Sequence, residues 1–305
     1  MCLGASVAAL THNGPVFVIG LTAALAASVL FNVGVALQAL DAREAPKEEG
    51  MHLSLLARLI RRRRWLLGFA LGGLGFPLEV LAFADAPFVL VQPALAAGLV
   101  LLLILGVRML GERVGGFELF GVVAIIGGVA LLAWGAPNHS ETHRGALAVT
   151  AVVATLTVLT FVPFVVRGTR FDGALVAILG SAIGFAAGNI ATKLMSDDFN
   201  GDHVQSAIIW IVVAAATGVA AILSEMTALQ RAAATVVVPV SFAVQTFLPI
   251  VLEPLFLNER WATVDYDGIP LAAGMVLMFI GTLAVARTRA VTALIATPDQ
   301  DSAPA

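Results

Sequence analysis

The chain has 305 residues, of which 59% are apolar and 12% charged, and its formal net charge is −3. Soluble domains carry about 45–50% apolar and about 25% charged residues, so a fold surrounded by water cannot bury this much apolar side chain. The net charge averages one strongly basic loop with several acidic ones and points to no partner class, nucleic acid included.

A helix needs about 20 apolar residues to cross about 30 Å of hydrocarbon, and every backbone group must be satisfied inside that segment. Runs of this length occur at 16–40, 65–84, 87–107, 118–136, 145–166, 173–194, 206–226, 235–256 and 269–286. They predict an all-α integral membrane protein of nine spans; the shorter alternating segments of a barrel are not the pattern here. The first run follows a segment without Lys or Arg and is about 25 residues long, so it reads as a retained span and not a cleaved leader. Cys2 precedes that run, which excludes a lipobox, and a single cysteine makes no intramolecular disulfide or thiolate cluster.

Between the first two runs, residues 41–64 hold Arg43, Lys47, Arg58 and the run Arg61, Arg62, Arg63 and Arg64, interleaved with Leu53, Leu55, Leu56, Leu59 and Ile60. This reads either as a basic amphipathic helix lying on the membrane surface against anionic lipid, or as a solvated loop. Across nine spans with the N-terminus outside, 14 of the Lys and Arg residues fall on inner segments and 3 (Arg144, Lys193 and Arg260) on outer ones. That asymmetry predicts an outside N-terminus and a cytoplasmic tail at 287–305, in the plasma membrane. Asp197, Asp198, Asp202, Asp265 and Asp267 lie in outer loops, where solvated loop ends are the simpler reading than a metal site.

The chain resembles itself at an offset of 146 residues. Glu79-Val-Leu-Ala-Phe, followed by Val91 and Pro93, matches Glu225-Met-Thr-Ala-Leu, followed by Val237 and Pro239. Back from each glutamate, Gly68, Gly72 and Gly75 match Ala214, Gly218 and Ala221. With small insertions the match reaches Gly111-Glu112-Arg113 against Asn258-Glu259-Arg260, and Ile126-Gly127 and Ala130 against Ile280-Gly281 and Ala284. The expected organisation is a first repeat over 1–136, a connecting helix over 145–166 and a second repeat over 173–286. One crossing between two four-helix units inverts the second, as in many secondary transporters.

On these residues the chain resembles the drug/metabolite transporter superfamily, whose EamA-type repeats combine a small-residue helix, a Pro-containing helix ending in a Gly-Glu-Arg-like turn, and a glycine-containing last helix. The basic loop after span one and the stretch from Trp65-Leu-Leu-Gly to Val91-Gln92-Pro93 look like the branch that includes NIPA-type magnesium transporters. Most members are described with ten spans, one more than is read here.

An ionised side chain deep in a span costs about 2.5–3.5 kcal/mol on insertion scales. Glu79 and Glu225 are therefore the foremost candidates for a proton-coupling or cation-binding pair; the plainer reading is a structural, hydrogen-bonded Glu near a helix end. Glu253 is a third acid, next to Pro254. Asn32 and Gln38 in span one, and Asn189 and Lys193 in span six, occupy equivalent helices that could line a cavity or merely bond helix to helix. Pro93, Pro239 and Pro249 are expected to interrupt their helices, freeing carbonyls for a cation or simply making packed kinks. Gly180, Gly184 and Gly188 read as a packing stripe within the monomer ahead of a homodimer contact. The Glu112-Arg113 and Glu259-Arg260 pairs read as helix-end caps.

The expected function is secondary transport of a small solute or cation by alternating access, with proton coupling or NIPA-like Mg²⁺ transport as variants. No P-loop, HExxH, GxSxG or in-span histidine occurs, so neither ATP coupling, an enzyme nor a cofactor is expected. The alternative from another class is a membrane scaffold or assembly protein, for which the small-residue faces would suffice.

Overall fold

A computed structural model describes residues 14–85, 88–135, 146–169, 171–200, 204–256 and 268–286. The regular structure among them is helical throughout. In chain order the α-helices are α1 Gly14–Glu44, α2 Leu53–Leu59, α3 Arg63–Asp85, α4 Phe88–Ala96, α5 Gly98–Met109, α6 Gly116–Gly135, α7 Ala146–Thr160, α8 Val162–Val165, α9 Ala174–Asn200, α10 Val204–Arg231, α11 Ala234–Phe256 and α12 Ile269–Ala286. A single 3₁₀ turn, Lys47–Glu49, lies between α1 and α2.

Among the described residues seven segments are long and apolar enough to cross a membrane: Val18–Glu44, Arg63–Ala82, Val91–Met109, Gly116–Gly135, Ala174–Thr192, Val204–Arg231 and Ile269–Ala286. Shorter apolar helices, Val149–Val165 and Ala234–Pro249, stand where the other two spans were expected. Within the first of these the helix breaks at Phe161, before Pro163. Large apolar side chains lie bare along the long helices, among them Leu66, Phe69, Phe76 and Val80 of α3 and Ile208, Ile209 and Val212 of α10. Apolar surface on that scale is stable only against lipid, and the chain is a multi-pass helical membrane protein.

The helices form two compact units. The first comprises α1 as far as Asp41, α3 to α6, and α12 as far as Gly281. Small residues let its backbones approach closely. A Cβ on Gly34 would lie 2.6 Å from the Gly68 carbonyl oxygen, and one on Gly75 would lie 2.8 Å from the Phe31 ring, so α1 and α3 pack antiparallel. In the same unit α6 and α12 run antiparallel in contact, with Gly121 against Gly281, Gly128 against Gly274 and Gly135 against Leu271. Without a hydrophobic force between helices in lipid, such close van der Waals contact is what holds them.

The second unit comprises residues 42–59, α7 to α11 and the last residues of α12. Its core is the α9–α10 hairpin. Gly184 meets Ala221 and Thr160 (2.8 Å each for an added Cβ), Gly188 meets Thr217, and Gly180 abuts Pro163. The Gly180, Gly184 and Gly188 stripe thus packs inside the chain. Ser181 and Ser241 share a hydrogen bond of 2.7 Å between α9 and α11.

The basic segment departs in part from the first of its two readings. Its helix covers only Leu53–Leu59, and Leu55 and Leu59, assigned from sequence to a lipid-facing stripe, are fully buried in the second unit; Leu53 and Ile60 are exposed. Protein supplies the apolar surface that the sequence pattern assigned to lipid. The segment is tied down at α10: Met51 N–H donates to Thr227 Oγ1 (3.0 Å), Arg43 Nε to Leu229 O (3.4 Å) and Gln230 Nε2 to Pro46 O (3.3 Å). Met51 adopts a φ of 57°, a left-handed conformation uncommon for a residue with a side chain and held here by those bonds. Its neighbour Arg58 pairs with Glu49, and that hydrogen bond holds the Glu49 carboxyl below the ordinary carboxylate range.

Candidate functional site

Glu79 lies one turn beyond Gly75 on α3, so it continues the face that packs on α1. It is partly buried and makes no hydrogen bond or ion pair with any described residue. Pro77, two residues earlier and inside the same helix, removes one backbone donor there.

Glu225 stands one turn beyond Ala221 on α10, continuing the face that packs on α9. It is 9% exposed, and it too has no hydrogen-bond or ion-pair partner among the described residues. Residues 223 to 230 around it are all buried. A buried carboxylate without a partner costs several kcal/mol, and among the described residues no side chain offsets that cost at Glu225.

Asn32 is buried in the first unit, with Nδ2 donating to Ser28 O at 2.8 Å. Ser28 Oγ donates to Leu95 O at 2.7 Å, and both side chains lie against Gly98. There the helix is broken: α4 ends at Ala96, one turn after Pro93, and Val100 N–H turns to Ala97 O at 3.0 Å. Ser28 replaces a bond the broken helix has lost. Pro239 and Pro249 behave otherwise. The helix runs on through both, so the expected interruptions at these two prolines are corrected: each deletes one N–H without ending α11.

Gln38 packs its Cγ 3.0 Å from the Cβ position of Gly68 and is half-buried. Asn189 is exposed on α9, away from the Gly184 and Gly188 contacts. Nothing in the described structure groups Asn189 with Asn32, and the side chains of Lys193, Asp197 and Glu253 lie outside it, as do Asp202, Glu259, Arg260, Asp265 and Asp267. Among the described residues no three His, Cys, Asp or Glu side chains converge as a metal centre would require.

Other charged residues hold the fold. Asp41, buried at the end of α1, accepts from Trp65 N–H at 2.8 Å and pairs with Arg62 at 3.5 Å. It caps the start of α3 from a distant part of the sequence. Asp172, which precedes the span Ala174–Thr192, pairs with Arg231 at the end of the span Val204–Arg231. Burial pushes its carboxyl up, but the hydrogen bonds from Arg231 and Gly168 N–H and the charges of Arg231 and Arg167 outweigh that and hold it below the ordinary range. Sequence reading passed over Ser28, Asp41, Asp172, Ser181 and Ser241. Each is a short polar residue inside or beside an apolar run, the one signal that could have found them.

Compared with family models, with curated proteins and with solved structures, the chain matches none. The class defined by its own fold is a multi-pass α-helical membrane protein with two glutamates, on small-residue helix faces, that have no partner among the described residues.

Proposed function

We propose that the chain is a secondary transporter, carrying a small solute or cation by alternating access between two inverted repeats within nine spans. The observation that carries this reading is Glu225, buried in an apolar helix with no partner among the described residues to neutralise it. A purely structural glutamate would be expected to have a hydrogen bond; a carboxyl that takes up and releases a proton or cation must be free to do so.

The helix packing supports the inverted repeat. In each unit the helix bearing the glutamate packs its small-residue face on the helix before it in the repeat, α1 or α9. Spans four and nine, equivalent in the sequence duplication, are α6 and α12, which lie antiparallel in contact as inversion requires. The resemblance to the drug/metabolite transporter superfamily agrees with this architecture, and the charge asymmetry supports an outside N-terminus and a cytoplasmic tail in the plasma membrane. A Mg²⁺ cargo would have to rely on carbonyl groups and retained waters, because few acids gather in the described structure. A small metabolite or monovalent cation therefore stands ahead of it.

The test is flux into proteoliposomes under an imposed pH gradient, with Mg²⁺ and a panel of small metabolites, for wild type, Glu79→Gln and Glu225→Gln. Flux of one class, reduced at least about tenfold in folded Glu225→Gln, is expected. Unchanged flux in that variant removes the proposed role of Glu225, and no flux of any solute by the wild type favours a scaffold.

A further inference from the structure

A groove of about 560 Å³ opens on the first unit between α5 and the start of α6. Its walls are Val100, Leu103, Ile104 and Val107 on one side and Val114, Gly115, Gly116 and Leu119 on the other, with Arg108 at one end. The volume falls in the range of small-molecule sites, about 300–1,000 Å³. Arg108 is the only charged lining residue; it is exposed and has no hydrogen bond or ion pair with any described residue.

Its geometry relative to the spans is informative. Arg108 is in the last turn of the span Val91–Met109, the level at which a membrane helix meets the headgroups. From there the wall descends along Val107, Ile104 and Val100, about 12 Å of helix toward the hydrocarbon. Gly111, at φ 65°, closes α5 with Glu112 N–H bonded to Gly106 O at 2.9 Å, so the loop turns tightly and α6 starts beside the groove. The acids nearby are occupied: Glu118 accepts from Gly115 N–H at 2.9 Å, and Glu112 makes a contact of its own.

We propose that this groove holds a phospholipid, its phosphate paired with Arg108 and one acyl chain lying along the apolar wall. The charge and the apolar length are arranged in the order a lipid presents them across the interface. This site is separate from the run Arg61, Arg62, Arg63 and Arg64, and it does not depend on the transport reading.

Native mass spectrometry of the purified full chain tests it, after delipidation and titration with phosphatidylglycerol, with diacylglycerol of the same chains, or with inorganic phosphate. Phosphatidylglycerol is expected to bind, and diacylglycerol and inorganic phosphate to bind at least about tenfold more weakly, since each offers half of the recognition. Arg108→Gln should weaken phosphatidylglycerol binding about tenfold, with part of it recovered in Arg108→Lys. Gly116 lines the groove and a Cβ there meets nothing within 4 Å, so the bulk added by Gly116→Leu should weaken binding as well. Both altered positions are exposed, and thermal unfolding establishes that each variant is folded. Equal binding of diacylglycerol, or wild-type phosphatidylglycerol binding by either Arg108→Gln or Gly116→Leu, overturns the proposal. Inorganic phosphate binding as tightly as the lipid overturns it too, because the apolar wall would then contribute nothing.

Discussion

Helices α3 and α10 carry one pattern, three small residues and then a glutamate at helical spacing, yet the two glutamates end in different surroundings. Glu79 stays partly exposed on a helix that presents much of its apolar surface outward. Glu225 is nearly sealed, within a run of eight buried residues at the C-terminal end of its helix. The small residues choose which neighbour each helix packs on, α1 or α9, and they do so alike. Burial is decided by what else arrives. Residues 42–59 bind the end of α10 through Met51, Arg43 and Gln230, and the basic segment behind that contact has no counterpart in the sequence duplication. Two helices with the same local pattern can thus differ in burial through a loop segment packed against one of them.

The largest expected effect falls on the faces the two helices share. Gly68→Leu and Gly184→Leu each drive a side chain into a neighbouring helix and should cost about 1–3 kcal/mol or more, read as a lowered unfolding midpoint in detergent. If only one of them is costly, the two packings are not equivalent. Next comes the difference in burial. Glu225→Met should stabilise the fold by about 1–2 kcal/mol, because it removes a buried group with no partner among the described residues; Glu79→Met should gain less. Equal gains would mean that burial does not distinguish the two acids.

A smaller effect concerns the anchoring of the second unit. Asp172→Asn should lower stability by about 1 kcal/mol, the exposure of the pair limiting its strength. Since the folded carboxyl of Asp172 lies below its unfolded value of about 3.9, its contribution is present above that pH and is lost as pH falls through the folded value. An unfolding midpoint followed from pH 7 to pH 3 should therefore drop at the acid end in wild type and less in Asp172→Asn. Smallest of all, Gly72→Ala and Gly218→Ala meet nothing within 4 Å and should be neutral or stabilising by up to about 1 kcal/mol, through helix propensity alone.

Composition and run length by themselves determined a helical, many-times-spanning membrane protein, because apolar runs of about 20 residues satisfy their own backbone and must leave water. The spacing of Gly68, Gly72 and Gly75 and of Ala214, Gly218 and Ala221 also marked the packing faces, since helical periodicity is local. Only the tertiary structure decided that the break near Pro93 is held by Ser28, that Asp41 caps α3, that Leu55 and Leu59 face protein instead of lipid, and that Glu225 is sealed while Glu79 is not. The reason is the same in each case. Leucine reads alike whether lipid or protein covers it, and a polar side chain's partner 24 or 67 residues away leaves no mark on the pattern around it.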